Sequence, residues 1–254
     1  MPEEAAHSHF GKRAARYDRS ANWVLDAELI GRIRDWAEAG ADSSVLDLAT
    51  GTGALAEAFQ GRVRRVVGLD LCTDMTEHSR RPWDELVVGD AEKMPFADGA
   101  FDVCVCRQGL QFMDAPKALA EVYRVLKPGG RVVLCHLTAY GEADRETAFL
   151  VQRLRNPARR NFFMPEDVPR LLGAAGFEAV ETAEYLTVES VNQWIDNGAI
   201  GADRMEGIRK AYEGASEEFR RLHCLRFQSG DILDTMKLVL ARGRKGSGGK
   251  AASL

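Results

Sequence analysis

The chain has 254 residues, 45% of them apolar and 28% charged, with a formal net charge of −4. That composition is globular rather than disordered or fibrous. The acidic balance argues against a nucleic-acid-binding surface. No run approaches the roughly 18 apolar residues of a membrane span, and the opening stretch MPEEAAHSHFGKRAARYD lacks the apolar core of a secretory signal, so a cytoplasmic location is expected.

Residues 1–39 form an N-terminal arm and helix ahead of an alternating pattern. The apolar run SSVLDLA reads as a strand that meets the turn Thr50-Gly51-Thr52-Gly53, and a helical segment over 54–59 follows. VRRVVGLDL is a second strand, 73–80 a helix, ELVVGDAE a third strand and FDVCVCRQ a fourth. In the next helix, over 115–126, Ala118, Leu119, Val122, Val125 and Leu126 recur at helical spacing. Lys127-Pro128-Gly129-Gly130 then reads as a helix stop and type II turn, and GGRVVLCHLT as a fifth strand. Alternation of this kind gives right-handed βαβ units and a parallel sheet covered on both faces.

The C-terminal third reads differently. PEDVPRLLGAAGFEAVETAEYL is a helix ending at Gly176 and then a strand, and DTMKLVLARGRK is a last strand. Helical patterns between them, VESVNQWI and RMEGIRKAYE, make 188–231 a helical cap over the open end of the sheet, with 140–163 as a second cap insertion. The main domain is thus expected over 40–242, and 243–254, GRKGSGGKAASL, has the composition of a flexible tail. The five cysteines, Cys72, Cys104, Cys106, Cys135 and Cys224, are odd in number and mostly in strand-like runs, which suits reduced thiols acting as small apolar residues. Cys104-Val105-Cys106 is not CxxC, and no metal site is expected.

Three candidate ligand sites stand at successive strand ends and a fourth on the edge beyond. Asp47-x-x-x-Gly51-x-Gly53 lies between strand and helix, where free backbone N–H groups meet a ligand's polar atoms. It is not a P-loop, and Ala56 stands where a dinucleotide fingerprint has its third glycine, so a ligand without a pyrophosphate is the better fit. Asp70, about 20 residues on at the tip of the next strand, suits both hydroxyls of a ribose. Asp90 ends the third strand and can accept from an amino group such as that of adenine. Arg107, Gln108, Gln111 and His136 lie on the edge beyond, where a second ligand would sit.

VLDLATGTG, VVGLDLCTDM, GDAEKMPFADGAFDVCVCRQGLQFM and ALAEVYRVLKPGGRVVL resemble, in order and spacing, the motifs of class I S-adenosylmethionine-dependent methyltransferases. The subgroup is similar to that of the ubiquinone/menaquinone C-methyltransferases and the malonyl-carrier-protein O-methyltransferases, and the likeness is close over 44–135. It implies an α/β fold with a Rossmann-like, seven-stranded, mostly parallel sheet whose final strand is antiparallel. It also implies S-adenosylmethionine as cofactor, with S-adenosylhomocysteine as product. Asp47, Gly51, Thr52 and Gly53 would hold the methionine part, Asp70 and Leu71 the ribose end, and Met75, Asp90 and Ala91 the adenine. Arg107 would lie beside the methionyl group and Tyr17 would close over it from the arm. Ala49-Thr50 and Cys72 depart mildly from the commoner residues.

The expected reaction is in-line methyl transfer to a small phenolic, quinone-like or carboxylate acceptor. His136 is the candidate base, helped by Tyr140, with His9 as competitor. Arg153, Arg155, Arg159 and Arg160 beside Phe162 and Phe163 could grip an anionic aromatic molecule, or could simply form a solvated face. The alternatives are a non-catalytic S-adenosylmethionine- or nucleotide-binding protein on the same fold, and a methyltransferase acting on a macromolecular or carrier-bound acceptor.

Overall fold

A computed structural model describes residues 2–79 and 83–248. In chain order, α1 (Pro2–Arg13) and two short 3-10 turns lead to α2 (Ala27–Ala37), β1 (Ser44–Leu48), α3 (Ala54–Glu57), β2 (Arg65–Asp70) and α4 (Thr73–Glu77). Then come β3 (Glu85–Val88), β4 (Phe101–Arg107), α5 (Ala115–Val125) and β5 (Leu126–Thr138). The rest is α6 (Arg145–Arg155), α7 (Asp167–Ala174), β6 (Glu178–Ser190), α8 (Val191–Ile195), α9 (Ala202–Glu213), α10 (Glu217–Leu222), β7 (Arg226–Gln228) and β8 (Asp231–Arg244).

Local chemistry explains the element ends. Asp26 accepts from the Glu28 and Leu29 backbone N–H groups at the start of α2, and Asp114 accepts from Lys117 at the start of α5; each cap is worth about 1 kcal/mol. Leu126 is already extended, which ends α5 at Val125, and Gly129 takes the positive φ of +77° that the expected tight turn needs. The helix expected over 73–80 ends at Glu77, and Arg80 lies outside the described residues.

The sheet order is β3-β2-β1-β4-β5-β8-β6, parallel from β3 to β5, with β8 antiparallel to both β5 and β6. The expected seven strands become eight because β7 forms a hairpin with β8. Its two-residue turn, Ser229-Gly230, has positive φ at both positions, as such hairpins require. The last strand runs through Arg244, two residues into the segment expected to be a flexible tail, and 249–254 lie outside the described residues. The expected cap regions contain α6 before β6, and α8, α9 and α10 before β8.

Successive strand residues point to opposite faces. Val45, Val66, Val103, Val105 and Val133 pack on one side with Leu29 and Ile33 of α2, whereas Leu46, Leu48, Val67, Cys104, Cys106 and Leu134 pack on the other with Leu119 and Val122 of α5. Cys104, Cys106 and Cys135 are fully buried in these layers, and burial pushes the Cys106 and Cys135 thiols up to about 12, so they act there as small apolar groups. Among the described residues no helix is long and apolar enough to cross a membrane. Strand order reverses between β1 and β4, and ligands of open α/β sheets gather beyond the carboxyl ends of the strands at such a point.

Candidate active site

The tips of β1 and β2 are tied together by one side chain. The Gly51 N–H donates to Asp70 Oδ2 at 2.8 Å and the Cys72 N–H to Asp70 Oδ1 at 2.9 Å. Burial raises the Asp70 pKa above the ordinary carboxylate range even with those donors. The chain reaches this geometry by taking positive φ at Ala49 (+55°), Gly51 (+56°) and Gly53 (+79°). The two glycines serve different purposes. Gly51 forms part of a cleft wall, where an added Cβ would lie 3.2 Å from Met75 Cε. Gly53 lies against the Trp83 indole, and an added Cβ would come within 2.6 Å of its Cζ2. Trp83 in turn donates from Nε1 to Thr50 Oγ1 at 3.0 Å, which braces the turn from behind.

The cleft runs across the ends of β1, β2, β3 and β4. Gly51, Asp70, Leu71, Met75, Asp90, Ala91, Arg107 and Tyr17, all expected cofactor contacts, line it. Asp90 Oδ1 accepts from the Glu92 N–H at 2.8 Å. Arg107 donates to the Trp23 carbonyl at 3.2 Å and lies 5.6 Å from the Trp23 ring centroid. The N-terminal arm forms the roof: Phe10 sits edge-on to Phe112 at 4.8 Å, and the Arg13 guanidinium lies over both Phe10 and Tyr17.

Three expected cofactor contacts are placed differently. Gly53 is behind the turn, against Trp83, rather than on the cleft wall. Asp47 and Thr52 border a small side chamber shared with Tyr17 and Arg107. Thr52 Oγ1 donates to Asp18 Oδ1 at 2.6 Å and so fastens the arm to the turn, while Thr50 Oγ1 donates to Asp47 Oδ2 at 2.6 Å. Burial pushes the Asp47 carboxyl up to about 6, against that hydrogen bond and the nearby Arg107 charge.

His136 is the main departure from the expected chemistry. Its ring is fully buried, hydrogen-bonds through Nδ1 to Gln111 Oε1 at 3.0 Å, packs on Phe163, and lines neither the cleft nor the chamber beside it. Burial pushes its pKa down to about 3. Strand alternation explains the displacement: the residue that follows it, Leu137, faces the chamber. His9 is also buried and pushed down to about 3, and Tyr140 donates its hydroxyl to the Thr235 carbonyl at 2.8 Å. Neither reaches the cleft.

Of the four residues the sequence placed where a second ligand would sit, Gln108 and Gln111 line a second chamber, Arg107 lines the cleft, and His136 lines neither. The second chamber shares Phe10, Tyr17, Gln108 and Phe112 with the cleft, and its other walls are Arg13, Trp23, Gln111, Leu137, Gln152, Arg155, Asn156, Arg159 and Trp194. These come from α1, the two 3-10 turns after it, the segment that follows β4, β5, α6, α8 and the loop after α6, a convergence that no local pattern encodes. The chamber's signals in the sequence were Gln108, Gln111 and the arginine-rich run 153–160; its aromatic and arm-borne walls had none. The fold also brings His7, Cys72 and Asp74 together at the mouth of the cleft, with their ligand-type atoms within 4.8 Å of one another, another grouping invisible in sequence spacing.

Comparison with known proteins agrees with this geometry. Residues 46–134 match a family described as a methyltransferase domain. The uncharacterized methyltransferase YcgJ of Bacillus subtilis is 30% identical over 247 residues, covering 93% of this chain and 97% of its own. Its crystal structure superimposes with a TM-score of 0.79 at 29% identity, over 86% of this chain and 98% of that one. The demethylmenaquinone methyltransferase of Streptomyces griseus is 36% identical over 80% of this chain and 84% of its own. The malonyl-[acyl-carrier protein] O-methyltransferase of Pectobacterium atrosepticum is 32% identical over 65% of each. With the sheet order, the glycine turn and the strand-end carboxylates, these likenesses show that the chain belongs to the class I S-adenosylmethionine-dependent methyltransferases.

Proposed function

We propose that the protein transfers a methyl group from S-adenosylmethionine, bound in the cleft, to a small-molecule acceptor held in the adjoining chamber. The observation that carries this reading is that cleft and chamber share Phe10, Tyr17, Gln108 and Phe112, so a donor and an acceptor would meet at that wall. The cleft suits the cofactor on its own features. Gly51 presents a bare Cα beside Met75, the Asp70 and Asp90 carboxylates stand at adjacent strand ends, and Leu71 and Met75 give an apolar surface for a flat ring. Asp70 would accept from the ribose hydroxyls, Asp90 and Ala91 would meet the adenine edge, and Asp47 with Arg107 would face the methionyl end beneath Tyr17.

Bound S-adenosylmethionine supplies a sulfonium methyl that is already activated toward nucleophiles. The chain's own task is then chiefly orientation, which contributes as much as about 7–11 kcal/mol in favourable systems. Phe10, Phe112 and the Tyr17 ring would exclude water from the shared wall. His136 and His9 are held neutral and away from that wall, and His7 lines the cleft but not the chamber, which favours an acceptor that is ionised before it reacts.

Calorimetric titration with S-adenosylhomocysteine tests the cleft. A one-to-one isotherm is expected, and Asp70→Ala should weaken it by about 1.5–3 kcal/mol, the range for hydrogen bonds to a charged group. No heat from a folded wild-type protein would sink the assignment.

A further inference from the structure

The acceptor chamber has an unusual electrostatic character. Arg13, Arg155 and Arg159 all border it, and among the described residues none of the three has a carboxylate within ion-pair distance. Arg13 is 2% exposed and Arg155 8% exposed, so water does little to compensate them. Arg13 donates only to Ser20 Oγ, at 3.2 Å, and Arg155 only to the backbone carbonyls of Trp194 and Ser20. The nearby Glu189 is already committed, since its two oxygens accept from the Asn22 and Trp23 N–H groups and the Thr187 hydroxyl. Burial depresses the pKa of each arginine, and the proximity of Arg13 and Arg159 to Arg155 depresses that of Arg155 further.

Hydrogen-bond satisfaction is equally one-sided. On the residues that line the chamber, four buried donor groups lack a partner: Arg13 Nε, Gln108 Nε2, Asn156 Nδ2 and Arg159 Nη2. The corresponding unpartnered acceptor is a single atom, Gln152 Oε1. Buried polar groups are normally paired, and beyond the aromatic faces that Arg13 and Arg155 lie over, this excess of donors and positive charge suits an anion with several acceptor atoms. Apart from Gln111, whose amide is paired with Gln108 and His136, the remaining walls are apolar or aromatic, Trp23, Trp194, Phe10 and Leu137 among them.

We propose that the methyl acceptor is an anionic small molecule, its carboxylate or phosphate anchored among Arg13, Arg155 and Arg159, and its apolar body against the Trp23 and Trp194 side of the chamber. The inference rests on the reading of the neighbouring cleft as the cofactor site and narrows the acceptor class beyond it. It also gives the buried arginines a purpose, because an unpaired buried cation is otherwise a cost to folding.

The test uses the full-length protein at low chloride, first titrated with S-adenosylhomocysteine and then, once saturated, with benzoate, phenyl phosphate and the neutral benzamide. At least one anion should bind about tenfold or more tightly than benzamide, as expected for a charge-assisted, multidentate contact. That preference should vanish in Arg159→Gln while the affinity for S-adenosylhomocysteine is kept, and Arg155→Gln provides the same comparison should Arg159→Gln fail to fold. Preference for benzoate over phenyl phosphate identifies the anchor as a carboxylate site, and the reverse identifies a phosphate site. If neither anion outbinds benzamide, or if the preference survives both variants, the inference is overturned although the cleft assignment stands. A folded protein that does not bind S-adenosylhomocysteine overturns the cleft assignment itself, and the acceptor role of the chamber falls with it.

Discussion

The chamber wall is fastened by a buried charge cluster whose pH response can be worked out. His223, at the end of α10, hydrogen-bonds through Nε2 to Asp144 Oδ2 at 2.9 Å and through Nδ1 to Asp234 Oδ1 at 2.7 Å. Tyr212 of α9 donates to the other Asp234 oxygen, and the His223 ring stacks on Phe219. The cluster therefore joins the start of α6, which carries Gln152 and Arg155 to the chamber, to α9, α10 and β8. Burial by itself would lower the His223 pKa, but the two carboxylates outweigh it and raise the value from 6.5 to about 9. A group whose folded pKa is raised stabilises fully below its unfolded pKa and loses that contribution as pH climbs to the folded value. The interval from 6.5 to about 9, at 1.36 kcal/mol for each pH unit, amounts to about 3 kcal/mol. With the His223 side chain only 5% exposed, solvent screening does not reduce this much. Urea denaturation in steps from pH 6 to pH 9.5 should show unfolding free energy falling by about that amount, and His223→Gln, which cannot carry the charge, should be flat over the same range. Equal slopes for wild type and His223→Gln would refute the assignment of a charged clamp.

Three further outcomes are expected. Because burial raises Asp47 to about 6, affinity for S-adenosylhomocysteine should fall below that pH as the carboxyl takes up a proton, and Asp47→Asn should remove the dependence; a calorimetric series at pH 5, 6 and 7.5 decides it. Gly53→Ala meets both a φ of +79° and the Trp83 ring, so it should lower stability by about 1–3 kcal/mol, whereas Gly51→Ala, strained by a φ of +56° but facing the cleft, should lower cofactor affinity as well as stability; thermal melts beside titrations separate the two. His136→Asn should lower the rate of methyl transfer by much less than the roughly 100-fold expected on losing a general base, and a larger drop at unchanged KM would restore His136 to the chemistry.

The donor side of the site was legible in the chain because it is built locally. A parallel strand ends, a turn follows, and the ligand-facing group stands within a few residues of the strand tip, so Gly51, Asp70 and Asp90 could be read from period and punctuation alone. The roles of Gly53 and Thr52 were not legible, because both depend on partners far away in sequence: Trp83 behind the turn and Asp18 on the arm. His136 was misread for a related reason. A strand-end histidine can face a site or the core, and only the packing against Phe163 and Gln111 decides between them. The eighth strand escaped notice because three residues, RFQ, carry too little pattern to reveal a hairpin. Alternating apolar runs, turn glycines and strand-end carboxylates by themselves determined a doubly covered parallel sheet and a nucleoside-type cleft at its edge. Tertiary structure alone decided the second chamber, since its arginines and tryptophans come from the arm, α6, α8 and the loop after α6, and they acquire their shared charge and burial only when those segments pack over the sheet.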